Sequence, residues 1–296
     1  MRLHLIDGTF ELYRAYYSKR PAHTTPDGWE AKGVVGVVAS LLALLHDVAE
    51  SVTHIGVAFD NPIESFRNEL FDGYKTGEGI DPVLYSQFGP VEEAVRALGV
   101  TVWSMDRWEA DDALGSAATK FADDFEQVRI LTPDKDLGQC IRGRRVVQVD
   151  RVRKREIDEE ALRAAWGVAP ESIPDLLALI GDSADGIPGL PGIGEKTAAA
   201  LLGSYLHLEA IPTDPASWNV QVRGAAKVAA TLAAMKDEAL LYRKLATLAL
   251  DVPMPHSPEA LAFQGVPRAE FEAWCDRLGL SSMKDRPKRW LTKKAD

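Results

Sequence analysis

Residues Gly181 to Leu202 read GDSADGIPGLPGIGEKTAAALL, and this stretch decides how the rest of the chain is interpreted. Its first half carries two carboxylates, Asp182 and Asp185, among turn-forming residues. Its second half places glycines directly before a predicted helix that begins at about Glu195. Glycines at such a position let backbone N–H groups approach a phosphate, and the helix N-terminus favours an anion. One short segment therefore combines acids suited to a metal ion with a loop suited to a phosphodiester.

This glycine loop differs from a nucleotide-binding P-loop. Gly189 and Gly194 have the P-loop spacing, but Glu195 stands where that motif requires lysine, and Lys196-Thr197 comes one position late. The preceding residues are acidic and proline-rich, whereas a P-loop follows a strand directly. The pattern therefore argues against ATP binding, and an ordinary turn with a helix cap is the structural alternative.

The composition is that of a globular chain, with 296 residues, 46% of them hydrophobic and 26% charged. No apolar run reaches the length that spans a bilayer, and the first residues lack a secretory signal pattern. Cys140 and Cys275 are isolated in the sequence, so we expect free thiols and a reducing, cytoplasmic location. We expect no membrane partner and a monomeric protein.

The net charge of −10 is unusual for a protein that binds nucleic acid. Nine of the acids fall into the motifs described below, and bound divalent cations would offset them. Basic residues cluster in two places, from Arg142 to Arg155 and in the tail from Lys284 to Lys294. Local patches govern binding more than net charge does, although a solvated face is the simpler interpretation of either run.

Three apolar runs are each followed by acids. Buried strands of this kind form parallel sheets, and ligands bind in the crevice at the carboxyl ends of such strands. One acid after a strand often only caps a helix, but three strands that deliver acids to the same edge indicate a site. The runs and their acids are Leu3–Ile6 with Asp7, Ile55–Phe59 with Asp60, and Val128–Leu131 with Asp134 and Asp136.

A fourth β-like stretch, Val100–Trp103, precedes Glu109, Asp111 and Asp112 at the start of a predicted helix. Acids suit a first helical turn, but three within four residues repel one another. On a helix, Glu109 and Asp112 share a face and Asp111 points elsewhere. The cluster can therefore serve one metal ion directly and a second through water.

The rest of the chain divides into segments of different composition. Glycines and a proline interrupt any periodicity from Asp72 to Phe88, which predicts a long loop that is either functional or a surface insertion. From Arg151 onward, alanine- and leucine-rich helical patterns dominate. We predict an α/β domain over residues 1–155, a helical subdomain over 156–255, and a C-terminal helical extension with a basic tail over 256–296.

The nine candidate acids offer hard oxygen ligands, which select Mg²⁺ or Mn²⁺. No His or Cys residue stands in the motifs, so zinc is not expected. Two divalent ions about 3.5–4 Å apart can hydrolyse a phosphodiester without a protein general base. The candidate ligands are Asp7, Asp60, Glu109, Asp111, Asp112, Asp134, Asp136, Asp182 and Asp185.

At these motifs the chain resembles the 5′-nuclease family, which includes the 5′→3′ exonuclease domain of bacterial DNA polymerase I and the flap endonucleases. The resemblance implies a PIN-like α/β fold with a mixed, mainly parallel sheet flanked by helices. It also implies a helical arch at about 74–99 and a helix–three-turn–helix DNA-binding subdomain. The matching motifs, in order over roughly residues 3 to 250, are LIDG, VAFD, SFRNELFDGYK, WEADD, ILTPDKDL and GDSADGIPGLPGIGEKTA.

The resemblance also implies residue roles. Arg67 and Lys75 would contact the scissile phosphate, and a K⁺ ion would bind at the helix–three-turn–helix. The first metal ion would be held, directly or through water, by Asp7, Asp60, Glu109, Asp111 and Asp112. The second site would be built by Asp134, Asp136, Asp182 and Asp185. The remaining DNA contacts would be Arg14, Tyr74, Gly189, Gly192, Ile193, Gly194, Lys196 and Thr197.

Two positions depart from the family pattern. Thr76 to Gly79 includes Glu78 where the family usually has a basic residue, which weakens the expected grip on a 5′ end. Gly186 replaces a common Asn and suits a turn equally well.

We expect a metal-dependent 5′ nuclease that acts on DNA with 5′ flaps or 5′ ends, including RNA–DNA primers, in replication and repair. Two alternatives stay open. One is a non-catalytic, structure-specific DNA-binding protein on the same fold, and the other is a PIN-type ribonuclease.

Overall fold

The computed structural model describes residues 1–253 and 257–292. Its central sheet has six strands: β1 (Arg2–Asp7), β2 (His54–Asp60), β3 (Thr101–Met105), β4 (Gln127–Leu131), β5 (Val146–Asp150) and β6 (Arg155–Ile157). The strands lie in the order β3-β2-β1-β4-β5-β6. β1 to β5 run parallel, and β6 pairs antiparallel with β5 at one edge. The predicted mixed, mainly parallel sheet is confirmed.

Helices cover both faces of the sheet and form a separate group beyond β6. Those preceding β4 are α1 (Gly8–Tyr16), α2 (Lys32–Leu45), α3 (Pro82–Tyr85), α4 (Phe88–Ala97) and α5 (Ala110–Lys120). Those following β6 are α6 (Glu159–Trp166), α7 (Ile173–Ile180), α8 (Glu195–Tyr205), α9 (Ala225–Ala234), α10 (Lys236–Ala246) and α11 (Arg268–Leu278).

Three apolar clusters hold these elements together. Successive strand residues point to opposite faces, so Leu3 and Leu5 pack with α5 while Ile6 packs with α1, α2 and α4. Phe271 and Trp274 of α11 belong to the same cluster as Ile6, so the C-terminal residues pack back onto the α/β layer. Helices α6 to α10 form the third cluster, which corresponds to the predicted helical subdomain.

The sheet reverses its direction of growth between β1 and β4, and this position locates the crevice. Ile6 is level with Val57 of β2 and with Leu131 of β4. The residues that follow these three strands therefore emerge side by side at one edge. In an open parallel sheet this is where a ligand crevice forms.

The predicted strands and helices are found, with two additions. β5 and β6 were not anticipated, because the run Val146–Val149 is short and lies inside a stretch that looks uniformly basic. The structure divides that stretch. Arg142 and Arg145 precede β5 and Arg151 follows it, so the two ends are about 17 Å apart across a five-residue strand.

The predicted arch over 74–99 differs from what is observed. Val91, Ala94 and Val95 of α4 are fully buried against the sheet, so the second half of this range is a core helix. Gly89 and Pro90 mask the helical period of α4 in the sequence. Only Thr76 to Asp81 and the four-residue α3 remain as an open connection above the crevice.

A cation–π contact holds the C-terminal residues against α11. The guanidinium of Arg268 lies 3.9 Å from the ring centroid of Trp290. The domain boundary predicted near residue 255 falls among residues 254–256, and the tail residues Lys293 and Lys294 follow residue 292, so both lie outside the described residues. Within 1–253 and 257–292, no helix is both long and apolar enough to cross a membrane.

Candidate metal centre

Asp7 and Asp60 end neighbouring strands and are held in place by their surroundings. Asp7 accepts hydrogen bonds from the Phe10 N–H at 2.8 Å and from the Thr132 hydroxyl at 3.0 Å. The first contact caps α1, and the second joins β1 to the residues after β4. Asp60 accepts from the Ala110 N–H at 2.8 Å, which joins β2 to the start of α5.

The electrostatics show that these acids crowd one another. Burial raises the pKa of Asp7 to about 7, and the charges of Asp60 and Asp134 add to the rise. Burial also raises the pKa of Asp111 well above its usual range, and Asp7 and Asp134 reinforce the shift. Asp111 therefore lies close to the strand-end acids, and the helical spacing had predicted only that it points away from Glu109 and Asp112.

Glu109 and Asp112 form the opposite face of the first turn of α5, and both contact Arg67. Arg67 is 1% exposed and donates five side-chain hydrogen bonds. Three of them reach Glu109 and Asp112 at 2.7–2.9 Å, and the other two reach the carbonyls of Leu245 and Thr247. The prediction that Arg67 contacts the scissile phosphate is therefore contradicted, because every N–H of this guanidinium that the structure pairs points into the protein.

The prediction that Asp112 helps to hold a metal ion is contradicted for the same reason. It is completely buried, and its two oxygens accept from Arg67 and from the backbone N–H groups of Glu109 and Ala249. With four hydrogen bonds already made, no oxygen of Asp112 faces the crevice as a metal ligand. Asp112 instead fixes the first turn of α5, from which Asp111 projects.

Tyr74 was expected to contact DNA, but its side chain is 3% exposed. Its hydroxyl donates to the Glu109 carboxylate at 3.2 Å. Glu109 also accepts from the Ser65 hydroxyl at 2.7 Å. Burial would raise the pKa of Glu109, but Lys75 and Arg67 lower it to about 2, so this acid is an anion paired with protein cations.

A second group of acids comes together on the other side of the crevice. Asp136, Asp182 and Asp185 each offer a carboxylate oxygen, and the three atoms lie within 4.8 Å of one another. Asp136 follows β4, whereas Asp182 and Asp185 come from the loop after α7. Asp134 stands beside them at the solvent-exposed mouth, and its carboxylate accepts from the Asp136 N–H at 3.0 Å. These are the acids that the family resemblance assigns to the second metal site.

A glycine allows the loop between α7 and α8 to approach the segment Gly73–Lys75 closely. Gly186 has φ +76°, and a Cβ added there would lie 2.1 Å from the Gly73 carbonyl oxygen. One residue earlier, the Asp185 carbonyl accepts from the Lys75 N–H at 3.0 Å. Gly186 therefore suits this turn for a stronger reason than the sequence suggested.

Two lysines lie among the acids. The Lys75 ammonium is 2.7 Å from Glu109 and 2.9 Å from Asp185, and the Lys135 ammonium is 2.7 Å from Asp182. Burial would lower the pKa of Lys75, but Glu109 and Asp185 raise it well above its usual value. Lys75 thus stands among the acids as a cation, and its contact with a scissile phosphate stays a prediction of the resemblance.

The donor set fits a hard divalent cation. Oδ1 of Asp136 is buried and accepts no hydrogen bond from any described residue. Burial raises the pKa of Asp136 well above its usual range, and Asp134 and Asp185 increase the shift. A buried, unpaired carboxylate oxygen among like charges is costly unless a cation joins it. All contributors are carboxylate oxygens, the ligands that Mg²⁺ and Mn²⁺ favour.

The glycine loop follows a tight turn that brings the chain from Asp182 to the start of α8. Asp182 and Ile187 exchange backbone hydrogen bonds at 2.8 Å, and the chain then turns through Gly189 and Gly192 into α8. Ile193 is buried and anchors the loop, whereas Gly192, Gly194 and Lys196 are exposed and Thr197 is half-buried. The loop and the start of α8 therefore present backbone and a lysine to solvent.

Arg14 lies apart from the acids described so far. It is 30% exposed and pairs with Glu11, which is 1% exposed and also binds Arg151 at 3.2 Å. The predicted proximity of Arg14 to DNA stays a prediction.

Three contributors to the site were not anticipated. Lys135 pairs with Asp182, Thr132 donates to Asp7, and the Gln148 amide donates to the carbonyl of Thr132 at 3.0 Å. Lys135 lies inside the ILTPDKDL motif, so its position between two acids was the available signal. Gln148 gave no signal, because β5 itself was not predicted.

Comparison with known proteins agrees with this geometry. Residues 2–167 match the family model of the 5′-3′ exonuclease N-terminal, resolvase-like domain. Residues 168–269 match the model of the 5′-3′ exonuclease C-terminal SAM fold.

Curated relatives point to the same family as the two family models. DNA polymerase I of Bacillus caldotenax is 34% identical over 285 residues, which cover 95% of this chain and 32% of the relative. DNA polymerase I of Pseudomonas aeruginosa is 35% identical over 292 residues, which cover 93% of this chain and 31% of the relative. The chain therefore spans about a third of the length of these relatives.

Among solved structures, T5 5′-exonuclease with bound zinc superposes with a TM-score of 0.67 at 17% identity, over 96% of this chain and 100% of that one. The bacteriophage T5 flap endonuclease, in a complex with DNA and metal ions, superposes with a TM-score of 0.65 at 18% identity, over 84% of this chain and 90% of that one. These likenesses establish a shared fold. From the two family models, the curated relatives and the acids at the strand ends, we conclude that this chain belongs to the 5′-3′ exonuclease family.

Proposed function

We propose that this chain is a divalent-metal-dependent 5′ nuclease that hydrolyses DNA phosphodiesters at 5′ flaps and 5′ ends. The observation that carries the proposal is the unpaired, buried oxygen of Asp136 beside Asp182 and Asp185, opposite the strand-end acids Asp7 and Asp60. When bound, a pair of Mg²⁺ or Mn²⁺ ions supplies Lewis-acid stabilisation of the phosphodiester charge and lowers the pKa of an attacking water. Asp111 and Asp134 complete the set of carboxylates that would hold these ions.

Lys75 acts on the substrate as a fixed positive charge. Its ammonium is 25% exposed and lies between Glu109 and Asp185. Because its pKa is raised, Lys75 keeps its proton and cannot serve as a general base. It can donate to a phosphate oxygen that enters the crevice and so orient the scissile group.

Glu109 and Asp112 position another residue of the site, Asp111. They fix the first turn of α5 by their contacts with Arg67, and this turn directs Asp111 at Asp7. A site held by buried ion pairs keeps its acids in place before metal ions bind, which reduces the cost of assembling the site.

The glycine loop would bind the duplex backbone. Gly192, Gly194 and Lys196 are exposed at the start of α8, where backbone N–H groups and the helix dipole favour a phosphate. Contacts of this kind are independent of base sequence and weaken with salt. A K⁺ ion held by this loop belongs to the same proposal.

Several finer features also belong to this proposal. The T5 relative was solved with DNA and metal ions, which supports DNA as the substrate. RNA–DNA primers, a role in replication and repair, and a monomeric state are proposed with it. Two free, buried thiols, Cys140 and Cys275, in separate apolar clusters suit a cytoplasmic location. We keep the division into 1–155, 156–255 and 256–296 as the domain description.

Cleavage of a 5′-labelled flap duplex in Mg²⁺, in Mn²⁺ and in EDTA tests this function. We expect metal-dependent product near the flap junction. Asp134→Asn should retain flap binding and lose most cleavage, whereas Asp123→Asn, whose side chain is 91% exposed beyond the C-terminal end of α5, should cleave normally.

The two alternatives give different results in the same assay. Tight binding without product in either metal ion would identify a non-catalytic DNA-binding protein. Faster cleavage of a matched RNA flap than of the DNA flap would identify a ribonuclease. Unchanged cleavage by the Asp134→Asn variant would remove that residue from the second metal site.

A further inference from the structure

Four aromatic rings from the C-terminal half and C-cap of α1, the end of α3 and the start of α4 form a continuous strip, which we call the aromatic strip: Tyr17, Tyr13, Phe88 and Tyr85. Tyr17 lies 6.4 Å from Tyr13, Tyr13 meets Phe88 edge-on at 6.1 Å, and Phe88 lies 5.5 Å from Tyr85, measured between ring centroids. The catalytic proposal uses none of these rings.

The two ends of the aromatic strip are unusually open for large side chains. Tyr17 is 66% exposed and Tyr85 is 50% exposed, whereas Phe88 is buried beneath them. Exposed rings at both ends of a buried aromatic contact are not needed for the core. They form a surface for a partner with flat, apolar faces.

The strip begins on the helix that directly follows the first acid of the metal centre. Asp7 caps the N-terminus of α1 through the Phe10 N–H at 2.8 Å, and Tyr13 is half-buried on the same helix. Burial raises the pKa of the Tyr13 hydroxyl, Tyr17 and Asp60 add to the rise, and Lys75 opposes it. A strand that leaves the crevice past Tyr13 meets Tyr17 and Tyr85 next.

The supports of the exposed rings are rigid. The Lys32 ammonium donates to the Ser18 carbonyl at 2.7 Å, which ties the end of α1 to α2. The Trp29 indole N–H donates to the Ser86 hydroxyl at 3.1 Å, which ties the residue after Tyr85 to the α1–α2 connection. Rings held in this way lose little freedom when a ligand stacks on them.

The charges nearby indicate what the strip would bind. The open connection from Thr76 to Asp81 contains Glu78 and Asp81 and no basic residue, so it cannot hold a phosphate backbone by charge. Lys19 and Arg20 are exposed two and three residues after Tyr17, while the acids Asp81 and Glu30 lie near the neighbouring Tyr16. Exposed aromatic rings with cations close by occur on surfaces that bind single-stranded nucleic acid, on which bases stack regardless of sequence.

We propose that Tyr17 and Tyr85 stack unpaired bases of the 5′ strand as it leaves the metal centre, in place of the ionic contacts that the open connection lacks. This inference rests on the proposed nuclease function and adds the group that holds the single strand. Because stacking does not depend on charge, the contribution of the unpaired bases to binding should change little with salt.

Equilibrium binding by fluorescence anisotropy tests the assignment, with EDTA present to prevent cleavage. Two duplexes are compared: one carries a 5′ arm of six thymidines and the other an arm of six abasic nucleotides. Both arms have the same phosphates, so repulsion by the metal-free acids cancels in the ratio of the two dissociation constants. We expect the wild-type protein to bind the thymidine arm at least about fivefold more tightly.

Variants locate the effect. The double variant Tyr17→Ala/Tyr85→Ala should bind both arms equally, whereas Tyr17→Phe/Tyr85→Phe should keep the preference because the ring faces remain. Val48→Ala removes a side chain that is 87% exposed in the α2–β2 connection, at the opposite edge of the sheet, and should leave the preference unchanged.

Each outcome decides a different point. Equal binding of the two arms by the wild-type protein, with metal-dependent cleavage intact, would overturn the stacking inference alone. A preference that survives in the double alanine variant would overturn the assignment to Tyr17 and Tyr85. Failure to bind or cleave flap DNA under any condition would overturn the nuclease function and this inference together.

Discussion

Replacing Arg67 separates the structural role seen here from the phosphate contact that the sequence predicted. Arg67→Met keeps the length of the side chain but removes the guanidinium from a site that is 1% exposed. Five hydrogen bonds are lost, and Glu109 and Asp112 lose their shared cation. The same change removes the link that Arg67 makes between the start of α5 and the carbonyls of Leu245 and Thr247 at the end of α10.

The magnitude follows from the burial of the partners. Removing one member of a buried ion pair leaves an uncompensated charge and costs about 3–5 kcal/mol. Asp112 retains two backbone N–H donors and Glu109 retains Lys75, so the loss should lie toward the lower end of that range. Arg67→Lys keeps the charge but not the forked geometry, and its loss should be smaller.

Urea unfolding followed by circular dichroism measures this loss, and flap binding is measured on the same samples. Arg163→Met is the matched control, since that guanidinium is 50% exposed and pairs with Glu159 one turn away on α6. We expect the control to stay within about 1 kcal/mol of the wild type. If Arg67→Met were as stable as the control while its affinity for flap DNA fell, Arg67 would be a phosphate ligand and the structural interpretation would be wrong.

Three further outcomes are expected. Asp136→Asn should raise the unfolding free energy of the metal-free protein, because burial and the charges of Asp134 and Asp185 disfavour the ionised carboxylate. The same variant should be stabilised less by added Mg²⁺ than the wild type in thermal unfolding. A variant that gains the full metal-induced stabilisation would show that Asp136 holds no ion. The pKa of Asp7 in the folded protein is about 7, which is above its value in the unfolded chain. As the pH rises from about 4 to about 7, the metal-free wild-type protein should therefore lose stability relative to the Asp7→Asn variant. A difference in urea midpoint between the two proteins that is constant with pH would contradict that shift. Gly186→Ala should destabilise the protein by more than about 2 kcal/mol, because alanine disfavours a φ of +76° and its Cβ would meet the Gly73 carbonyl oxygen. Calorimetry measures this loss, and an unchanged melting temperature would show that the loop can move away from Gly73.

The acids of the site were predictable because they follow a simple rule. A short run of apolar residues followed by an acid identifies both a buried strand and the edge at which it ends. Asp7 and Asp60 satisfied this rule independently, and parallel pairing then places them side by side. The helical spacing of Glu109, Asp111 and Asp112 likewise predicted that Asp111 would face away from its two neighbours.

The partners of those acids could not be predicted in the same way. Arg67 and Lys75 are both basic residues in one motif, and nothing in the local sequence indicates that one is buried and the other remains accessible. The difference arises from α10, whose last carbonyls accept from Arg67 across a separation of 178 residues. Tyr74 became a buried residue for a related reason, since it joins the apolar cluster of the helical subdomain.

The first two thirds of the chain also show where a local pattern can mislead. Gly89 and Pro90 suggest a loop, but the tertiary contacts of Val91, Ala94 and Val95 outweigh the low helical propensity of two residues at the start of α4. The short strand β5 was hidden by the arginines on both sides of it.

The order of the strands has a consequence for how the protein acquires its activity. The acids from Asp7 to Asp185 come from β1, β2, α5, β4 and the loop after α7, so the site is complete only when contacts across most of the chain have formed. Closing such long loops is slow, and parallel pairing adds further non-local contacts. During refolding from denaturant, helical circular dichroism should therefore return before catalysis does, and partly folded chains that already contain α7 and α8 should be unable to cut nucleic acid. The proposed nuclease would therefore stay inactive until its fold is complete.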